Sequence, residues 1–81
     1  MSKTIPVPIE RLADCIMQYL VSHPHAADTV AGIKNWWLSG AAAGRSDNDV
    51  ETAVRVLVQR GMLECRTLPD GVRIYARSER V

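Results

Sequence analysis

Apolar residues recur along the first third of the chain at Ile9, Leu12, Ala13, Ile16, Leu20 and Val21, spacings that place one apolar face on a helix. The pattern predicts a helix from Ile9 to Ser22. Pro6 and Pro8 are expected to keep the residues before it extended, and Pro24 to stop it just beyond His23. Glu10 falls in the first turn, where the helix dipole favours an acid. A second helix is predicted after Asp28 or Thr29, either of which can cap it, with Val30, Ile33 and Trp37 as its buried face. Trp36 lies beside that face, and both tryptophans are expected to fill or edge a core that has no Phe to fill it. Gly40 ends this helix, and the small-residue run from Ser39 to Arg45 forms a loop in which Gly44 is free to turn. Ser46 and Asp49 then resemble a capping box. The third helix that follows buries Val50, Ala53, Val54, Leu57 and Val58, exposes Asn48, Glu51, Thr52, Arg55 and Gln59, and is capped by Gly61.

Beyond Gly61 the period shortens towards two, and Pro69-Asp70-Gly71 supplies the chemistry of a three-residue turn that pairs Leu68 with Val72. The prediction is a β-hairpin. Counting back from the turn puts Leu63, Cys65, Thr67, Arg73, Tyr75 and Arg77 on one face. Met62, Glu64, Arg66, Leu68, Val72, Ile74 and Ala76 fall on the other. Leu63, Cys65 and Tyr75 are expected to meet the helices, leaving Leu68, Val72 and Ile74 as a partly exposed patch near the tip. Ser78 to Val81 reads as a fraying end.

Composition narrows the class. A chain of 81 residues, 47% hydrophobic and 23% charged, reads as one domain spanning 1–81 with an ordered core of about 9–77. At this size roughly 60% of the unfolded surface is buried, which leaves little room for an enclosed enzyme pocket. No nucleophile and base pair and no phosphate-cradling glycine motif occurs, so the expectation is not an enzyme and no cofactor. His23 and His25 straddle Pro24 near Asp28, but alternate residues of a short loop rarely converge on a metal, and none is expected. Cys15 and Cys65 are expected to be reduced and buried as small hydrophobes. No apolar run reaches signal-peptide or bilayer length, so no membrane partner and a cytoplasmic location are expected.

Helix, helix, helix and hairpin in that order resembles a winged helix, an α+β fold with a three-helix bundle and a C-terminal wing. The likeness rests on the third helix running through Val50, Val54, Leu57 and Val58 into Arg60-Gly61-Met62-Leu63, then Pro69-Asp70-Gly71 and Tyr75. This run is similar to that of many small bacterial transcription regulators, and the likeness covers about Ile9 to Arg77. It implies a short strand between the first two helices, near His25 and Ala26, and a third helix that enters the DNA major groove. Carried over residue by residue, it nominates Asn48, Thr52, Arg55 and Gln59 to read bases. Arg45 and Ser46 would hold phosphates at the helix start, and Arg66, Arg73 and Arg77 would hold them from the wing.

Charge complicates that expectation. The formal net of +1 is the remainder of +1 over residues 1–45, −3 over 46–54 and +3 over 55–81. Asp47, Asp49 and Glu51 suit a helix N-terminus but oppose phosphates. Two functions are therefore carried forward. One is a regulator that binds double-stranded DNA, with a homodimer through the first helix as an option. The other is a winged-helix module that holds a protein partner through its acidic third helix or the Leu68, Val72 and Ile74 patch.

Overall fold

The computed structural model describes residues 5–38, 40 and 45–78. Helix α1 (Val7–Ser22) is followed by strand β1 (Ala27–Asp28) and helix α2 (Val30–Gly32), which runs directly into a π-helical turn (Ile33–Trp37). Helix α3 (Asp47–Gln59) leads into strands β2 (Leu63–Thr67) and β3 (Arg73–Arg77). The class is α+β: three helical segments and an antiparallel sheet of order β1-β3-β2.

Pro8 belongs to α1 and not to an extended lead-in, which corrects the sequence expectation. Pro6 is the N-cap, and its carbonyl accepts the N–H groups of Ile9 and Glu10 at 3.0 Å each. A proline in the first turn costs no bond, because the N–H it lacks would have had no helical acceptor. Ile9, Leu12, Ala13, Ile16 and Leu20 are buried as the spacing required, whereas Val21 is 75% exposed. Beyond the helix the chain turns at Pro24, and β1 forms at Ala27–Asp28, displaced from His25 and Ala26.

The Thr29 hydroxyl caps α2 by accepting the Gly32 N–H at 3.1 Å, and the Asp28 carboxylate accepts the Thr29 N–H at 2.8 Å. The segment then widens, since Leu38 N–H donates to the Ile33 carbonyl five residues back at 2.9 Å. In this wider turn Ile33, Trp37 and Leu38 all face the core, at 0%, 7% and 1% exposure. Val30 is half-buried. Trp36 is 73% exposed, contrary to its expected place in or at the edge of the core. Trp37 stacks on Tyr19 at 5.0 Å, and Tyr19 stacks in turn on His23 at 4.2 Å.

Ser46 caps α3, its hydroxyl accepting the Asp49 N–H at 3.2 Å. Val50, Ala53, Val54 and Leu57 are buried as predicted; Val56 joins them and Val58 is half-buried. The hairpin takes the predicted register. Cys65 pairs with Tyr75 and Thr67 with Arg73, and beyond them Leu68 N–H donates to the Val72 carbonyl at 2.8 Å. On the other side of β3, Ala27 pairs with Ala76 and Asp28 with Tyr75. Ser78 is 6% exposed and its N–H donates to the Met62 carbonyl at 3.0 Å, so at this position the expected fraying is absent. Residues 79–81, and Gly44 with the loop around it, lie outside the described residues. Neither cysteine is a buried hydrophobe as expected: Cys15 is half-buried and Cys65 exposed.

Candidate nucleic-acid interface

The third helix has two faces because its sequence has two. One carries the core residues, and the other carries Asn48, Thr52, Arg55 and Gln59 at spacings of four, three and four. Asn48, Arg55 and Gln59 are exposed. Thr52 is half-buried, and its hydroxyl donates back to the Asn48 carbonyl at 2.8 Å. Arg45 is exposed just ahead of the N-cap. The Ser46 hydroxyl is occupied by its cap bond to Asp49, which makes Ser46 first of all a helix-starting residue.

Alternation along the hairpin decides which of its residues share the α3 side. Leu63 is 2% exposed in the core, so the odd-numbered positions of both strands turn towards the helices. A shallow cleft of about 200 Å³ opens there, lined by Glu51, Arg55 and Val58 of α3 and by Cys65, Arg73 and Tyr75 of the hairpin. Arg55 and Arg73 therefore come together. Burial pushes the Tyr75 phenol above its ordinary value, with neighbouring Cys65 adding to the effect and Arg73 opposing it.

Arg66 turns to the other side of the sheet. Its Nε donates to Glu64 Oε2 at 2.8 Å, and a second contact from Nη2 lies at 2.6 Å. With Arg77 it lines a separate groove against Pro24, His25, Ala26, Ala76 and Ser78. Arg77 shares its side of the sheet with Arg73, but at the other end of β3 it borders this groove and not the α3 cleft.

The acids of α3 are less isolated than the segment charge implied. Lys34 Nζ lies 2.8 Å from Asp47 Oδ1, and Arg55 lies 3.6 Å from Glu51 one turn away. Counting Arg45, three cations (Lys34, Arg45 and Arg55) stand with three acids (Asp47, Asp49 and Glu51). The sequence reading missed Lys34 because its partner is 13 positions away; the i,i+4 spacing of Glu51 and Arg55 was the signal available for the second pair. At these exposures each pair contributes little stability, and its main effect is to flatten the local field.

Elsewhere, the described residues hold no group of three His, Cys, Asp or Glu side chains placed to bind a metal, and no helix long and apolar enough to cross a membrane. No known family's sequence model, no curated protein and no solved structure matches the chain.

Proposed function

We propose that the chain is a winged-helix domain that binds double-stranded DNA as a transcriptional regulator, with α3 as the recognition helix and the β2–β3 hairpin as the wing. One observation carries the reading: Arg55 of the α3 polar stripe and Arg73 of the hairpin line one cleft, on a face where cations offset the acids. Asn48, Arg55 and Gln59 would read base edges, since amide and guanidinium groups can bond them bidentately. Arg45 and Arg73 would sit on the flanking phosphates. Arg66 and Arg77 would be secondary contacts from the groove next to the α1–β1 turn.

Anisotropy of a labelled random duplex tests this. At about 50 mM salt the chain should bind weakly, with affinity falling steeply as salt rises. Arg73→Ala should lower the log–log salt slope by about 1, as expected for the loss of one phosphate contact. A flat titration at low salt overturns the reading.

A second reading, a module that holds a protein partner, is favoured by apolar exposure: Trp36 at 73%, with Leu68 and Val72 at 39% and 40% near the hairpin tip. It predicts the flat titration, and loss of a co-purifying partner on Trp36→Asp with unfolding unchanged. Retention of that partner would remove Trp36 from the contact.

A further inference from the structure

We infer that Glu51 and Arg55 act as one base-reading unit that selects a cytosine within about two base pairs of a guanine in the DNA target, an inference that rests on the DNA-binding reading above. Glu51 is the acid of α3 that lines the cleft with the wing, beside Arg55, Arg73 and Tyr75. The other two are engaged differently. Asp47 is held by Lys34, and Asp49 is half-buried behind the Ser46 cap. An exposed carboxylate facing DNA is repelled by phosphates, so it is tolerable there only where it meets a hydrogen-bond donor. In the major groove cytosine N4 is a donor that Asp and Glu accept from, whereas guanine O6 and N7 match Arg.

The spacing suits both contacts at once. Four residues of α-helix rise about 6 Å, close to two base-pair steps of about 3.4 Å. Off DNA, Glu51 and Arg55 form an exposed ion pair at 3.6 Å, with side chains 52% and 66% exposed. Only a site that offers both a cytosine amine and a guanine edge replaces that pairing on both sides. A site that offers a guanine edge without the cytosine draws Arg55 away and leaves Glu51 unpaired near phosphates, which discriminates against it. Glu51 thereby gains a role beyond compensation of the helix dipole.

Selection from a duplex library with a randomised centre, followed by sequencing of the bound fraction, tests the inference. The natural chain should enrich a cytosine and, within about two base pairs of it, a guanine, each favoured by roughly 5- to 100-fold over the wrong base. Glu51→Gln should move the first preference from cytosine to adenine, which an amide reads, and should strengthen binding to random duplex. Arg55→Ala should erase the guanine preference alone. Both side chains are exposed, and thermal unfolding will confirm that the variants fold. Binding without a cytosine preference, or a cytosine preference unchanged in Glu51→Gln, overturns this inference and leaves the DNA reading standing. Failure of the natural chain to bind any duplex overturns both.

Discussion

Glu10 and Arg60 meet across 50 positions of chain, Nη1 donating to Oε1 at 3.0 Å and Nη2 to Oε2 at 2.8 Å. The hydrogen bond to Arg60 holds the Glu10 carboxyl below its ordinary value of 4.5, against the opposing effect of burial. The sign follows from linkage: with the folded value depressed, the pair's contribution is complete above the unfolded value and drains away as pH falls through the folded one. Between about pH 5 and about pH 3, the natural chain should therefore lose more melting temperature than Glu10→Gln does. Equal losses in calorimetry would mean that the pair contributes nothing. From the sequence Glu10 could be placed in the first turn of a helix, but no local pattern links it to Arg60. Trp37 was legible, since its spacing from Val30 and Ile33 put it on the buried face. Adjacent positions on a helix diverge by about 100°, so the pattern that buries Trp37 turns Trp36 away from the core.

The ends of α3 were legible because caps are local chemistry. Gly61, with φ of +76°, closes the helix in a Schellman arrangement: its N–H donates to Val58 O at 3.0 Å and that of Met62 to Leu57 O at 2.9 Å. A methyl at Gly61 would meet open space, so the cost of Gly61→Ala is backbone strain alone, about 1–2 kcal/mol by urea unfolding. Gly61→Asn should cost less, since Asn tolerates this conformation. Equal losses for the two would refute a strain origin. The hairpin register was equally legible, because Pro69-Asp70-Gly71 fixes the turn and every pair then follows by counting. The second helical segment was legible in its Thr29 cap and in the burial of Ile33 and Trp37, but not in its shape. Its π-helical turn adds a residue between Ile33 and Leu38, and a 3.6-residue template has no place for one. Gly32 was passed over for another reason: a Cβ there would run into the Asp28 carboxylate, a contact visible only after folding. Strand β1, two residues long, could be anticipated from the fold resemblance but not from periodicity.

Across the whole molecule, near-neutrality conceals a redistribution that segment arithmetic could not follow. Lys34 belongs by sequence to one segment and by contact to the acidic start of α3, while Arg73 borders the α3 cleft and Arg66 and Arg77 border the groove next to the α1–β1 turn. The candidate interface was half legible for this reason. The α3 stripe is periodic and could be read directly, and alternation already set Arg66 opposite Arg73; that Arg77 borders a different groove from Arg73 needed the folded sheet. Strand order has a kinetic consequence as well. β3 comes last of the three strands yet lies between the other two, and its pairing of Tyr75 with Asp28 spans 47 positions of chain. The hairpin can close locally, but joining β1 to it closes a long loop for a contact only two residues wide. β1 should therefore dock late in folding and open first, and in native-state hydrogen exchange the Asp28 amide should exchange well before that of Arg66. The sheet would then act as a latch: the connection between α1 and α2 could loosen while the hairpin and α3 stay intact.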